Sequence, residues 1–234
     1  MSHNREKIKE LASGQLKDEA NAWFVGEPFK VFYDYKKEGI WQLGEEAAAA
    51  ANGQEPGDIK VQDVDGNGVI TTDDRIIYSQ RPDVTFGFNN TFNYKGFDLS
   101  VFLYARLGQW IAYDYNTTYR INALENGGNV DYWTPENPTN AFPCPNKSKS
   151  YTQVTYYSTL KYEDGSFFKI RDITLGYTFK PELLKHLNLS KLRVYATAKN
   201  FFTFSKIDNY DPEQGGSISF PMTKQLVFGL NVEF

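Results

Sequence analysis

VTFGFNNTFNYKGFDLSVFLYARL, residues 84–107, decides the fold. Phe86, Phe88, Phe92 and Tyr94 share one parity, while Thr85, Gly87, Asn89, Thr91 and Asn93 share the other. A β-strand sends alternate side chains to opposite faces, so this pattern puts aromatics on one face and small polar groups on the other. Lys95-Gly96 then reads as a two-residue hairpin turn. The returning arm repeats the alternation: Phe97, Leu99, Val101, Leu103 and Ala105 lie against Asp98, Ser100, Tyr104 and Arg106.

The same signal recurs downstream. Ile173, Leu175, Tyr177 and Phe179 alternate with Asp172, Thr174, Gly176 and Thr178. Leu192, Val194, Ala196 and Ala198 alternate with Arg193, Tyr195, Thr197 and Lys199. Leu226, Phe228, Leu230, Val232 and Phe234 alternate with Val227, Gly229, Asn231 and Glu233. Strands are therefore expected at 84–94, 97–106, 166–179, 192–203 and 225–234. The connections at 95–96 and 180–191 are short, and those at 107–165 and 204–224 are long. Alternating short turns and long loops characterise outer-membrane β-barrels. On that scheme the last strand ends on the short-turn side, so Phe234 faces the periplasm and the long loops face outward. Residues 1–83 read as a loop region with a possible strand at 29–35 and a short helix at 45–51, where EEAAAAA meets Asn52-Gly53.

Composition agrees with an all-β, membrane-embedded reading. Tyr 16, Phe 18 and Trp 4 make up 16% of 234 residues, yet the mean hydropathy is negative. Strands that are apolar on one side only give that combination. The inward-facing set of Asp98, Arg106, Asp172, Arg193, Lys199 and Glu233 is too charged for the dry core of a soluble sandwich, the alternative all-β architecture. A net charge of −4 offers no basic face for nucleic acid. A single cysteine, Cys144, excludes an internal disulfide framework. No apolar run is long enough for a transmembrane helix, and the polar start MSHNREKIKELASG does not resemble a secretory signal.

One motif carries metal chemistry. Residues 63–74, DVDGNGVITTDD, follow the twelve-residue calcium-loop template. Asp63, Asp65 and Asn67 stand at positions 1, 3 and 5, and Gly68 makes the sharp turn at 6. Val69 offers its carbonyl at 7, Thr71 stands at 9 and Asp74 closes at 12. Such a loop outside the cell needs only weak binding, about 10⁻⁴–10⁻³ M, to brace a segment with Ca²⁺. The competing reading is an acidic turn without metal. Asp211-Pro212-Glu213 and Glu163-Asp164 can be drawn as hydrolase carboxylate pairs, but loop turns and contacts at the lumen mouth explain them with fewer assumptions. No catalytic residue is assigned, and the chain is not expected to be an enzyme. His186 has no triad partner and Cys144 sits inert between prolines. Trp110, Tyr113, Tyr115, Tyr119, Tyr132 and Trp133 either stack on a ligand such as a sugar or pack the long loop.

PGDIKVQDVDGNGVITTDDR followed by RPDVTFGFNNTFNYKGFDLSVFLYARLG resembles the C-terminal part of SusC/RagA-type TonB-dependent outer-membrane receptors of Bacteroidetes. VGEPFKVFYDYKKEGIWQ, YWTPENPTNAFP, GSFFKIRDITLGYTF, LRVYATAKNFFTFSKIDNYDPE and the FGLNVEF ending carry the same likeness, in order, over roughly residues 20 to 234. Cys144-Pro145 departs from it, where the family often has a basic residue. The resemblance implies a large plugged barrel in outer-membrane lipid that imports oligosaccharides or peptides. It implies a SusD-like lipoprotein over the mouth, energy from the TonB complex through N-terminal parts, and recognition of the last strand by the barrel assembly machinery. Five or six strands cannot close such a barrel, so the expectation is a C-terminal fragment that does not transport alone. The alternative is a soluble calcium-dependent carbohydrate-binding β module.

Overall fold

A computed structural model of the chain describes residues 1–12, 14–122, 127–149, 153–185 and 188–234. The strands in chain order are β1 (Lys17–Asp18), β2 (Trp23–Phe24), β3 (Val31–Asp34), β4 (Lys37–Ile40), β5 (Ile59–Val61), β6 (Ile76–Ser79), β7 (Val84–Tyr94), β8 (Phe97–Leu107), β9 (Trp110–Ala112), β10 (Tyr162–Asp164), β11 (Phe167–Thr178), β12 (Lys191–Ser205) and β13 (Gln225–Glu233). Among the described residues there are also two short helices, α1 (Glu46–Ala51) and α2 (Pro181–Leu184), and a few 3₁₀ turns. The expected strand at 29–35 is β3, and the helix at 45–51 is α1. His186 lies outside the described residues.

Five long strands form one antiparallel sheet in the order β13-β12-β11-β8-β7. Its boundaries fall within two residues of those read from the alternation. Lys95 and Gly96 both have positive φ, 48° and 88°, the type I′ geometry whose twist matches that of the flanking strands.

Register aligns the apolar parity of every strand. Tyr94, Phe97, Tyr177, Val194 and Leu230 stand side by side, and Phe92, Leu99, Leu175, Ala196 and Phe228 form the next row. Val101, Ile173, Ala198 and Leu226 follow, then Phe88, Leu103, Ile170 and Phe202, then Phe86, Ala105, Phe168 and Phe204. The result is an apolar face, interrupted on β7 by Asn90 opposite Val101, with aromatics concentrated at its two ends. Phe97 meets Tyr177 at 4.6 Å between ring centroids at one end, and Phe168 meets Phe204 at 6.1 Å at the other. From Phe97 to Ala105 the strand advances about 26 Å, the height of a hydrocarbon band before strand tilt is allowed for.

The opposite face is polar and charged. Asp98 on β8 and Arg193 on β12 meet across β11 in a bidentate pair, with Arg193 Nε at 2.8 Å from Asp98 Oδ1. The strand between them carries Gly176, where a Cβ would lie 2.5 Å from both Arg193 Nη2 and Asp98 Oδ1. Glycine at this position leaves the room that the bridge occupies. Gly229 does the same for the Tyr195 ring.

A register shift between Ile170 and Asp172 marks a β-bulge at Arg171. Parity carried back from Ile173 would send Lys169 to the apolar face. The extra residue reverses that, so Phe168 and Ile170 stay on the apolar face and Phe167 and Lys169 turn to the other.

Residues 107–165 lack period in the sequence, but those of them that the structure describes are folded. β9 pairs with β10, and residues of this stretch join residues of the first 83 in a shared core. Ile40, Ile59 and Val61 pack with Tyr119, Ile121, Trp133, Val154 and Leu160. Those apolar residues are scattered singly among polar ones, so neither strand nor helix periodicity exposes them. The layer they form sits at the end of the sheet opposite the Lys95-Gly96 turn.

Candidate functional site

The 63–74 loop winds as its sequence requires. Asp63 Oδ1 and Oδ2 accept from the backbone N–H groups of Gly66 and Gly68 at 2.8 and 2.7 Å. Asp65 Oδ1 accepts from Asn67 N, and Asn67 Oδ1 from Val69 N. Asp74, fully buried, accepts from Val64 N and Thr71 N, both at 2.7 Å. Side-chain oxygens of Asp63, Asp65 and Asp74 consequently lie within 4.8 Å of one another. The Thr71 N–H, followed by that of Val64, holds the Asp74 carboxyl below the usual carboxylate range, against the opposing effect of burial. Thr71 Oγ1 accepts from Asp73 N and caps the following 3₁₀ turn. Asn52, the C-cap of α1, anchors the loop from outside by accepting from Ile70 N at 2.9 Å. The carboxylate trio, with Asn67 alongside, is a hard-oxygen donor set of the kind Ca²⁺ takes. Val69 and Thr71 lie on the same loop.

The aromatic residues divide by burial. Trp133 is 4% exposed in the shared core, and its Nε1 donates to Gln42 Oε1 at 2.8 Å. Tyr119 is also buried there, donating to the Pro143 carbonyl. Tyr113 is buried with Ile111 and Ile207, and Tyr115 and Tyr210 pack against them. Burial raises the Tyr113 phenol to about 12. These rings fill the loop layer. Tyr132 is exposed and Trp110 partly so.

Beneath the layer, at the mouth of the polar face, sits a charge cluster whose cations, Lys169 and Arg171, sequence reading does not single out. Lys169 Nζ, with no exposed surface, reaches Asp211 Oδ2 at 2.6 Å and Glu213 Oε2 at 2.8 Å. Arg171 Nη1 pairs with Glu213 Oε1 at 3.1 Å. The two carboxylates that could be drawn as a hydrolytic pair are thus committed to cations of the sheet. The signal that would have found Lys169 is the parity reversal of FFKI against RDITLGY.

Comparison with known proteins matches this architecture. No family model matches the chain. TonB-dependent receptor P3 of Formosa agariphila is 30% identical over 270 residues, covering 100% of this chain and 26% of that protein. TonB-dependent receptor SusC of Bacteroides thetaiotaomicron is 31% identical over 180 residues, covering 74% of this chain and 17% of that protein. The structure of the RagAB peptide transporter superposes with a TM-score of 0.73 at 24% identity, covering 99% of this chain and 26% of that one. The RagAB peptide importer in its open-open state gives 0.67 at 26% identity, with the same coverage. The five-stranded sheet is accordingly barrel wall, its apolar face the outer surface, and its relatives are receptors rather than enzymes. The chain, which spans at most about a quarter of the length of these relatives, belongs to the TonB-dependent receptors of the SusC/RagA type.

Proposed function

We propose that the chain is the C-terminal part of an outer-membrane importer, supplying five strands of barrel wall and a folded loop layer over the mouth. The observation that carries this reading is the aligned apolar face. Phe92, Phe228 and Leu230 are 61, 73 and 67% exposed, and an area of that kind is stable against lipid and a liability in water. A soluble calcium-dependent carbohydrate-binding module would have to leave the same face wet.

In this orientation the Lys95-Gly96 turn and Phe234 face the periplasm, and the loop layer faces outward. The SusD-like lipoprotein sits on that layer and the TonB complex acts through parts outside this chain. The barrel assembly machinery takes hold of β13. Cargo is an oligosaccharide or a peptide, the latter by analogy with the RagAB transporter. Exposed Tyr132 and half-buried Trp110 are the aromatic residues best placed to meet it, with buried Tyr113 and Trp133 and half-buried Tyr115 supporting the layer beneath. Ca²⁺ is held by Asp63, Asp65 and Asp74 with Asn67, the Val69 carbonyl and Thr71. It braces the loop and does no chemistry.

Uptake of fluorescent oligosaccharide and peptide pools by cells carrying the receptor tests the import reading. Accumulation that disappears when TonB is deleted, or when residues 84–234 are removed, supports it. Accumulation unchanged by either deletion contradicts it.

A further inference from the structure

The loop layer holds a cavity of about 260 Å³ beside the start of β4, lined among others by Lys37, Tyr78, Trp110, Asn116, Tyr162 and Glu163. Six charged residues line it, Lys36, Glu38 and Lys206 being exposed at its rim, and of the half-buried ones Lys37 and Glu163 carry opposite charges that do not touch each other. Lys37 Nζ donates to the Ala141 carbonyl at 2.6 Å. Glu163 Oε1 accepts from Asn116 Nδ2 at 2.9 Å. Burial pushes the Glu163 carboxyl up and the Lys37 ammonium down from their ordinary values, and the charge of each only partly restores the other. A half-buried pair held out of contact bears some desolvation on both sides without the close approach that offsets it. That arrangement has the character of a site kept ready for a ligand.

The remaining wall is aromatic. Tyr78 meets Trp110 edge-on at 4.7 Å and stacks on Tyr162 at 5.3 Å. Both phenol groups are used elsewhere, Tyr78 donating to the Tyr35 carbonyl and Tyr162 to Asp34 Oδ2. Their polar ends are thereby satisfied, and what remains is apolar ring surface. Lys206 and Asp164, paired at 3.1 Å, also border the cavity, with Lys206 largely exposed.

We propose that this cavity binds a small zwitterion of the α-amino-acid type, with its carboxylate at Lys37, its ammonium at Glu163 and its side chain against Tyr78, Trp110 and Tyr162. The two charges of such a ligand sit on adjacent atoms of one carbon and fill the gap between the protein's own pair. Its apolar side chain accounts for the third wall. The inference concerns binding alone and stands whether or not the receptor imports anything.

Titration calorimetry on the receptor purified in detergent tests it with three probes of equal shape: L-leucine, leucinamide and 4-methylpentanoate. Leucine is expected to bind one to one. Leucinamide, lacking the carboxylate, and 4-methylpentanoate, lacking the ammonium, are each expected to bind about tenfold more weakly or worse. Glu163→Gln should weaken leucine binding and abolish its advantage over 4-methylpentanoate, while leaving its advantage over leucinamide. Lys37→Met should do the reverse. Near-UV circular dichroism confirms the loop layer in each variant, and Glu163→Gln with the three probes decides the matter alone if Lys37→Met does not fold. No heat from leucine, equal affinity for all three probes, or discrimination unchanged by Glu163→Gln would overturn the proposal.

Discussion

Lys169 is a charged residue with no exposed surface, stable there only because Asp211 and Glu213 close over it. Removing the Lys169 cation leaves Asp211 without an ion partner while Glu213 keeps Arg171, and breaking a buried ion pair costs about 3–5 kcal/mol. Lys169→Met should therefore release the 204–224 segment, seen as faster trypsin cleavage at Lys206 and Lys224; an unchanged cleavage rate would refute the clamp. Asp63→Ala combined with Asp65→Ala should abolish protection of residues 58–80 by calcium. Equal digestion of the unmutated receptor in calcium and in chelator would remove the metal from the account. Glu163 supplies a pH signature. Burial raises its carboxyl above the ordinary value of 4.5, so the folded state favours the protonated form. Its stabilising contribution is complete below that ordinary value and is lost as pH rises through the raised one. Asp74, held below its ordinary 3.8, acts oppositely and only at lower pH, where its contribution disappears as pH falls. The loop layer should accordingly melt at lower temperature at pH 7.5 than at pH 5, and Glu163→Gln should reduce the difference.

At the scale of elements, the strands were legible because alternation needs no partner to be seen. Phe86 to Tyr94 and Leu226 to Phe234 announce their two faces within a single strand. The bulge at Arg171 shows in the sequence only as the slip of parity between FFKI and RDITLGY; what it accommodates, one extra residue against Phe102 and Leu103, is defined by the neighbouring strand. The burial of Lys169 depends likewise on Asp211 and Glu213, far away in the sequence. The loop layer was hidden differently. Its core draws single residues such as Ile40, Ile59, Tyr119 and Leu160 from segments far apart in the chain, and no window of sequence contains them together. The winding of the 63–74 loop was legible, since its turns are local in sequence, and Asp63, Asp65 and Asp74 do converge. Facing is the property to test here. Ile173→Arg, in the central apolar row, should destabilise the assembled wall by about 2–4 kcal/mol, whereas Thr174→Arg, one residue on and facing inward, should cost far less. Urea titrations of folding into lipid vesicles would measure both, and equal losses would contradict the assignment of faces.

For the whole molecule, the sheet and the loop layer divide the work between two solvents. The aligned rows from Tyr94–Phe97–Tyr177 up to Phe86–Phe168–Phe204 belong to lipid, and the bridged Asp98–Arg193 pair and the Lys169 cluster belong to a wet interior. The loops above carry the chain's buried aromatic core, its acidic loop and its cavity. The central claim is that the apolar face of the sheet is bathed in lipid, and an environment-sensitive dye reports this directly. With Cys144 replaced by serine, single cysteines at Leu103, Leu175 and Phe228, and at Ser100, Thr174 and Thr197, would be labelled with a nitrobenzoxadiazole dye in the receptor reconstituted into vesicles. The account predicts blue-shifted emission, quenched by nitroxide-bearing acyl chains, at the first three positions and not at the second three. Quenching that is the same at both sets, or absent from Leu175 and Phe228, would contradict it.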